Sequence, residues 1–364
     1  MEYRKLPHGG EKISIIGLGN SSLGPAGEAE IERIVRLAIE NGVNYFDMAD
    51  AVPFPAYGRA VAGCRENVYF QIHFGADYRS GKYGWTLNLD TIKRSVDWQL
   101  KALQTDYIDF GFIHCIDEAA DWEKVCAAGT WTFLQKLKEE GVVHHLGLST
   151  HTPKIANMVL DTGLIDMMMF SINPAYDYRH GEFAIGSVDE RMALYRRCEA
   201  EGVGISVMKA FSGGQLLNEK TSPFQRALTE YQCIQYALDK PGVLTVLPGV
   251  RNENDLHRIL GFLNAAPEER DYSILGTFTP HDAAGICVYC NHCQPCPAGL
   301  DVGLINKYYD LAQAGDTLAR DHYIHLEKTA SDCIACGHCD SRCPFHVGQV
   351  RRMQDIRSYF GGRE

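Results

Sequence analysis

The chain has 364 residues, of which 45% are hydrophobic and 22% charged, so it can bury a large core and is not intrinsically disordered. Its formal net charge of −11 disfavours nucleic acid as a partner. The sequence has neither the apolar segment of a signal peptide nor an apolar run near the ~20 residues of a membrane span, so we expect a cytoplasmic protein without a membrane partner.

Residues 1–275 alternate between short apolar runs and segments with apolar residues at helical spacing, a pattern that predicts strands followed by helices. The predicted strands are Ile15–Gly19, Val43–Asp47, Val68–Phe74, Tyr107–His114, Val143–Ser149, Ile165–Ile172, Val203–Lys209 and Val243–Pro248. The predicted helices are Glu28–Asn41, Leu89–Leu103, Trp131–Glu140, Lys154–Asp161, Glu190–Glu201, Gln225–Asp239 and Asn252–Leu263.

Alternation of strand and helix predicts a parallel sheet, and the almost wholly apolar strands indicate a sheet covered on both faces. Eight strands that alternate with helices over about 250 residues match a (β/α)8 barrel. The alternative is an open doubly wound sheet, which usually has a Gly-x-Gly-x-x-Gly turn after its first strand. Here Gly17-Leu18-Gly19 is followed by Asn20-Ser21-Ser22, without the third glycine. We therefore predict a barrel over residues 1–275.

Eight of the 13 cysteines crowd into the last part of the chain, in two runs. The runs are Cys287-x2-Cys290-x2-Cys293-x2-Cys296-Pro297 and Cys333-x2-Cys336-x2-Cys339-x3-Cys343-Pro344. In two-cluster ferredoxins the cysteine before proline ligates the other cluster. The spacing thus predicts two [4Fe–4S] clusters, one held by Cys287, Cys290, Cys293 and Cys343, the other by Cys333, Cys336, Cys339 and Cys296. Zinc is the alternative, although zinc sites generally pair two Cys-x2-Cys units.

The stretch between the two cysteine runs is long enough for two helices, for which Val302–Ala314 and Thr317–Lys328 are suited. We therefore predict that residues 276–364 form a second domain, an α-helical ferredoxin-like one rather than the short type rich in β-structure.

Chemistry in a (β/α)8 barrel takes place at the carboxyl ends of the strands. The polar residues predicted there are Asp47, Asp50, His73, His114, Ser149, His151, Asn173, Lys209 and Arg251. A single buried histidine is often structural, but several such residues at one end of the barrel favour an active site.

Four segments and the double cysteine run carry a family resemblance. The segments are Gly42-Val43-Asn44-Tyr45-Phe46-Asp47-Met48-Ala49-Asp50, Tyr107-Ile108-Asp109 with His114 at the strand end, Leu146-Gly147-Leu148-Ser149-Thr150-His151, and Pro248-Gly249-Val250-Arg251-Asn252. With them the chain resembles the aldo-keto reductases, in the branch with a C-terminal ferredoxin-like extension, over nearly its whole length.

The resemblance implies a catalytic tetrad of Asp, Tyr, Lys and His, in which the tyrosine protonates a carbonyl oxygen while NAD(P)H donates hydride. Asp47 and His114 match two members. The tyrosine is expected at residue 52, which is valine, so Tyr57 is the candidate, delivered by a loop insertion. The expected lysine is replaced by His73, and Lys209 at the seventh strand is the candidate for the missing positive charge.

The same resemblance implies residues for a nucleotide. Ser149 and Asn173 match positions that hold the nicotinamide amide, Ser212-Gly213-Gly214 resembles the pyrophosphate loop, and Arg251 would meet a 2′-phosphate. The aromatic residue that stacks on the nicotinamide is missing, because its position falls near Met208. NADP(H) is therefore a candidate cofactor, and a flavin is a second one, because barrels bind flavin without a sequence motif.

Three functional hypotheses follow. The leading one is an iron–sulfur oxidoreductase that passes electrons to or from a small-molecule substrate in the barrel mouth, with a ferredoxin or flavodoxin-like protein as electron carrier. The second is an NADPH-dependent carbonyl reductase with structural clusters. The third is a non-catalytic electron-carrier or redox-sensing subunit.

Overall fold

Eight parallel strands form the central sheet of the protein, seen in a computed structural model that describes residues 1–178, 184–277, 287, 293–313, 318–343 and 346–361. The strands are Leu18–Gly19, Tyr45–Met48, Tyr69–Phe74, Ile108–Ile113, Val143–Thr150, Met167–Ser171, Gly204–Met208 and Val243–Val246. The sheet closes on itself, because Ile16 forms a parallel bridge with Val246 beside the first strand. The predicted (β/α)8 barrel is confirmed.

Helices cover the outside of the barrel. The longer ones are Glu28–Glu40, Leu89–Leu103, Ala119–Ala127, Thr130–Glu139, Pro153–Leu160, Val188–Ala200, Glu230–Leu238 and Glu253–Leu260, and shorter ones are Phe54–Ala60, Pro174–Asp177 and Pro267–Arg270. The helices Phe54–Ala60 and Ala119–Ala127 were not predicted from the sequence pattern. The predicted helix Gln225–Asp239 began too early, because Thr229 and Gln232 form a capping box that fixes the helix start at Glu230.

Side chains two residues apart along a strand point the same way, so every second residue of a barrel strand faces the interior. These interior side chains are apolar at one end of the barrel and titratable at the other. At the amino end of the strands, Tyr45 and Phe110 pack with ring centroids 5.3 Å apart. An N-terminal hairpin of Tyr3–Lys5 and Lys12–Ser14 closes this end and adds Leu6 and Ile13 to the apolar cluster. The polar ends of the strands therefore face the opposite opening, the barrel mouth.

A small hairpin follows the third barrel strand before the next helix begins. Its two short strands are Ala76–Asp77 and Gly84–Trp85, which pair antiparallel. The tip is a turn in which Gly81 has a left-handed φ of 78°, a conformation that favours glycine. The hairpin places Tyr83 beside the barrel mouth.

All regular elements among the described residues from 293 onward are helical, as predicted for the α-helical ferredoxin type. They are Val302–Gln313, Leu318–Ile324, Ala330–Asp332, His338–Arg342 and Gln349–Phe360. The region has its own core, in which Tyr323 stacks on Phe360 with centroids 4.0 Å apart and Asn306 donates to Gln349 over 2.8 Å. In the described part of the chain, no helix combines the length and apolar character that crossing a membrane requires.

Candidate active site

A cavity of about 640 Å³ lies at the barrel mouth. We call it the mouth cavity. Its barrel wall includes predicted site residues from several strand ends, namely Asp47, His73, His114, Ser149, Lys209, Gly213, Gly214 and Arg251. The C-terminal helices from residue 293 onward, which we call the helical region, also line it, through Tyr308, Ala319 and His322. The cavity is therefore shared by the barrel and the cysteine-rich region.

A chain of short hydrogen bonds runs from the barrel wall to the hairpin, and we call it the Tyr83 relay. Asp47 Oδ1 lies 2.7 Å from His73 Nε2, and His73 Nδ1 lies 2.9 Å from His114 Nδ1. At the far end, His114 Nε2 is 2.9 Å from the Tyr83 hydroxyl. The three side chains from the barrel strands are almost fully buried. The relay therefore links a buried carboxylate to a tyrosine at the cavity.

The hydrogen bonds of neighbouring side chains show which atoms of the Tyr83 relay carry a hydrogen. Gln71 donates its Nε2 to Asp47 over 2.6 Å, because the amide oxygen of Gln71 already accepts from the Tyr45 and Ser206 hydroxyls. Asp47 acts as acceptor, so His73 donates from Nε2 and accepts at Nδ1.

The direction of the remaining bonds follows from that assignment. His114 then donates from Nδ1 and accepts the Tyr83 hydroxyl proton at Nε2. This arrangement needs a neutral His114. Burial and the neighbouring His73 hold the pKa of His114 well below its ordinary value, which keeps the ring neutral. The relay is thus poised to take a proton from Tyr83 toward Asp47, or to return one.

A second carboxylate–histidine pair lies at the mouth, and we call it the His151 pair. His151 Nδ1 is 2.8 Å from Asp117 Oδ2, and the His151 backbone N–H donates to Asp117 Oδ1 over 2.6 Å. The ammonium of Lys307, from the helical region, lies 3.9 Å from Asp117 Oδ2. Burial would raise the pKa of Asp117, but His151 and Lys307 outweigh it and hold that pKa well below its ordinary value. Asp117 is therefore ionised at neutral pH.

Tyr57 does not reach the mouth cavity, contrary to expectation. It lies in the helix Phe54–Ala60, fully buried, with its ring edge against Phe46 at 5.7 Å. Its hydroxyl has no hydrogen-bond partner among the described residues. Burial, helped by the charge of Asp47, raises the pKa of Tyr57 well above its ordinary value. The insertion after Asp47 forms a packed helix, so it cannot present this hydroxyl to a substrate.

Sequence reasoning missed the tyrosine that the structure does bring to the site. Tyr83 arrives on the hairpin after the third strand, two residues beyond Gly81. The signal was a turn-forming Ser80-Gly81 pair between aromatic residues, which predicts a tight turn. Lys307, Tyr308 and His322 were also missed, because only the packing of a distant region brings them there.

Most of the predicted nucleotide residues line the mouth cavity, but two do not. Asn173 is engaged within the barrel, where its Oδ1 accepts from Tyr176 N and its Nδ2 donates to the carbonyl oxygen of Lys209. Ser212 is fully buried. The loop Ser212-Gly213-Gly214, which we call the glycine loop, leaves room for a phosphate group, since a Cβ at Gly214 would meet nothing within 4 Å. The residues thus fit the phosphate end of a nucleotide better than its nicotinamide end.

Four cysteines line a small second cavity in the helical region, which we call the thiol cavity. It is lined by Cys296, Cys333, Cys336 and Cys339, together with Val302 and Met353 among other residues. These four are the set predicted to ligate one cluster, with Cys296 contributed by the other run. Four thiols around one apolar pocket fit the ligand set of a [4Fe–4S] cluster.

The other predicted ligand set is only partly described. Cys343 Sγ accepts from the backbone N–H of Val347, and Cys287 Sγ accepts from the Gln349 side chain, both at 3.5 Å. One short segment therefore contacts a cysteine from each run, in keeping with crossed ligation. Cys293 is buried, and Cys290 lies outside the described residues.

The sequence of residues 15–232 matches the model of the aldo/keto reductase family. The chain belongs to the aldo/keto reductase family. A model of the 4Fe-4S dicluster domain matches residues 283–347. This aldo/keto reductase is therefore of the branch predicted, an oxidoreductase with an iron–sulfur domain after its barrel.

Two curated relatives illustrate the reach of the similarity. The uncharacterized oxidoreductase YqkF of Bacillus subtilis is 27% identical over 312 residues, which cover 78% of this chain and 98% of YqkF. L-galactose dehydrogenase of Arabidopsis thaliana is 29% identical over 185 residues, which cover 46% of this chain and 56% of the plant enzyme. The match thus spans only about half the length of the plant relative.

Solved structures of the family share the fold. An aldo-keto reductase from Bacillus halodurans in its holo form superposes with a TM-score of 0.61 at 23% identity, over 74% of this chain and 94% of that one. An aldo-keto reductase from Klebsiella pneumoniae in complex with NADPH gives a TM-score of 0.56 at 17% identity, over 77% and 95% of the two chains. At these identities the likeness shows the barrel fold alone.

Proposed function

We propose that this aldo/keto reductase is an iron–sulfur oxidoreductase, in which two [4Fe–4S] clusters exchange electrons with a small organic substrate in the mouth cavity. One observation carries the proposal: the helix Val302–Gln313 borders both cavities. Val302 lines the thiol cavity and Tyr308 lines the mouth cavity. Six residues separate them, or about 9 Å along an α-helix. The thiol cavity and the mouth cavity therefore lie at two points of one helix, about 9 Å apart along its axis.

The cysteines of this chain would hold the clusters in the crossed arrangement, Cys296 completing the set of Cys333, Cys336 and Cys339, and Cys343 completing that of the first run. Bound clusters supply one-electron transfer. The barrel supplies what clusters lack, namely a substrate cavity and the Tyr83 relay, which holds a proton at the Tyr83 hydroxyl and can move it toward Asp47 through two imidazoles.

The altered tetrad supports this function over plain hydride reduction. His73 stands in place of the lysine, and a neutral imidazole cannot stabilise a tyrosinate as an ammonium does. Electrons would come from a reduced ferredoxin or flavodoxin-like carrier. We propose a cytoplasmic location because free thiols and cluster ligands persist in a reducing compartment.

An NADPH-dependent carbonyl reductase is the second candidate, and the glycine loop favours it. Gly213, Gly214 and Arg251 line the same cavity as His114. The Arg251 guanidinium is largely exposed and pairs with Asp255 over 2.8 Å, so a phosphate group would compete with that carboxylate. A bound nucleotide would supply hydride, with or without a flavin as intermediary.

The test compares electron sources in anaerobically purified holoenzyme, after analysis of its iron, sulfide, flavin and nucleotide content. Pre-reduced enzyme, freed of reductant, is mixed with an aromatic aldehyde, an aliphatic ketone and an ortho-quinone, and reoxidation of the clusters is followed by their visible absorbance. We expect one of these probes to reoxidise the clusters. NADPH oxidation by cluster-free, folded enzyme at the full rate would instead establish the second candidate.

Tyr83→Phe and Tyr57→Phe form a matched pair within this test. Loss of the Tyr83 hydroxyl removes the cavity end of the relay, so reoxidation by the active probe should slow roughly 10²- to 10⁴-fold. Tyr57→Phe removes a buried hydroxyl outside the mouth cavity and should leave the rate unchanged. Equal rates in the two variants would remove the relay from the proposal.

A further inference from the structure

The His151 pair has no counterpart in the tetrad that the family resemblance implies. Asp117 follows the fourth barrel strand, and His151 follows the fifth. Both side chains are at least nine-tenths buried, and both line the mouth cavity with Tyr83 and His114. The cavity therefore contains two separate carboxylate–histidine groups.

The number of protons is the decisive quantity, and this argument rests on the proposed function. A hydride carries two electrons together with its own hydrogen nucleus. An enzyme that reduces a carbonyl with hydride therefore has to supply only one further proton, to the oxygen. Two clusters supply two electrons and no proton. A two-electron reduction at this site consequently needs two protons, and the Tyr83 relay provides one of them.

We propose that His151 is a second catalytic acid–base residue, and that the substrate is a conjugated dicarbonyl compound of the quinone class, interconverted with its dihydroxy form. In the reducing direction, bound and reduced clusters would supply the substrate with one electron each. One carbonyl oxygen takes a proton from Tyr83 and the other takes one from His151 Nε2. Two C=O groups become C–OH groups, solvent replaces the two protons, and two reduced carriers of the ferredoxin or flavodoxin class restore the electrons.

The class of substrate follows from the same balance. An isolated carbonyl resists the addition of a single electron, whereas a conjugated dicarbonyl delocalises it over the ring. Two oxygens also match two proton-transfer groups, each with its own carboxylate partner. Tyr83 and Tyr308 add aromatic surface to the cavity wall, which suits a flat aromatic compound.

Asp117 and Lys307 act as positioning residues for His151. Asp117 accepts from Nδ1, so Nε2 is the nitrogen that exchanges a proton. Lys307 keeps Asp117 in its ionised form. Burial lowers the pKa of His151, Asp117 opposes this, and the ammonium groups of Lys307 and Lys209 lower it further. A neutral His151 is a base, and it must gain a proton before it reduces a substrate.

The experiment compares His151→Asn with His145→Asn. His145 lies on the strand that ends just before His151, at the opposite end of the barrel, and it also pairs with carboxylates, Asp166 at 3.2 Å and Glu11 at 3.0 Å. Pre-reduced holoenzyme is mixed with phenanthrenequinone and reoxidation of the clusters is timed. We expect His151→Asn to slow this step roughly 10²-fold or more, and His145→Asn to leave it unchanged. Ferricyanide, which needs no proton, should reoxidise all variants equally.

A second readout separates proton transfer from a structural role. Nitrogen-15 histidine spectra of the oxidised holoenzyme should show His151 protonated at Nδ1, and Asp117→Asn should lower the pKa of His151 by about 1 unit or more. In the wild type, the pH dependence of quinone reoxidation should follow the His151 titration, and in Asp117→Asn its midpoint should move with that pKa. An unchanged midpoint in this variant would contradict the proposal.

Failure of the proposed function and failure of the role proposed for His151 give different results. If no probe reoxidises wild-type clusters, the proposed function fails. If the aldehyde or ketone does so and the quinone does not, the substrate class is wrong. If the quinone works equally well in His151→Asn, the role of His151 is wrong. A stoichiometric metal other than iron would also overturn it, because Cys115, Asp117 and His151 offer ligand atoms within 4.8 Å of one another.

Discussion

The mouth cavity and the thiol cavity are both lined by reactive side chains, but they are organised differently. At the mouth, the side chains of the Tyr83 relay and of the His151 pair are held by hydrogen bonds to their neighbours, as in the link between His73 and His114. Around the thiol cavity, Cys296 and Cys336 line the same pocket, and no hydrogen bond joins these two described residues. The mouth is therefore preorganised by the barrel, whereas the thiols need a bound cluster to complete their geometry.

The largest expected effect comes from removing a thiol. Cys336→Ala should lower the iron content from about eight atoms per chain to about four, since one of the two proposed clusters loses a ligand. The helical region should then unfold at a lower temperature, while the barrel transition stays in place. Cys126→Ala, at an exposed cysteine of the barrel, is the control and should keep all the iron. Full iron in Cys336→Ala would show that this cavity is not a cluster site.

A smaller effect is expected where the two regions meet. Lys307 is 1% exposed and lies 3.9 Å from Asp117, so Lys307→Met leaves a buried carboxylate without its cation. We expect a loss of roughly 3 kcal/mol in the free energy of unfolding, measured by denaturant titration. Lys124→Met breaks an exposed pair with Asp121 and should cost less than about 0.5 kcal/mol. Similar losses in both variants would mean that Lys307 does not join the regions electrostatically.

The smallest effect concerns pH. The pKa of His114 is lowered by burial, so between its folded pKa and the ordinary value near 6.5 the unfolded chain binds more protons than the folded one. Stability should therefore fall as the pH drops below about 6.5, by up to about 1.4 kcal/mol per pH unit for this residue.

The difference between variants isolates that contribution. His114→Asn should flatten the decline between pH 7.5 and 5.5, whereas His257→Asn, at an exposed position, should not change it. A decline of the same slope in His114→Asn would show that protonation of His114 is not what destabilises the protein in acid.

Sequence patterns located the barrel because they are local. Each strand is a short apolar run, and the polar residue that ends it, such as Asp47 or His73, is placed at the mouth by topology alone. The two cysteine runs could also be recognised from the sequence alone, since the spacing of their cysteines reflects cluster geometry. These features needed no knowledge of which distant segments come into contact.

The remaining parts of the site depend on packing between segments far apart in the sequence. Tyr57 was chosen for its distance from Asp47, but an insertion of apolar residues folded into a core helix instead. Tyr83 and Lys307 lie in segments whose own patterns predict only a turn and a helix. Their roles depend on where the hairpin and the helical region dock, which no local periodicity encodes.

The order of the two regions along the chain has a consequence for biosynthesis. Trp85 of the hairpin contacts His322 and His325 of the helical region, with ring centroids 5.3 and 5.5 Å apart. A ribosome adding about 5–20 residues per second completes the barrel several seconds before those partners emerge. During that interval Trp85 is uncovered and the mouth is open. The helical region, with its thiols, therefore reaches the barrel mouth only after the barrel has been synthesised.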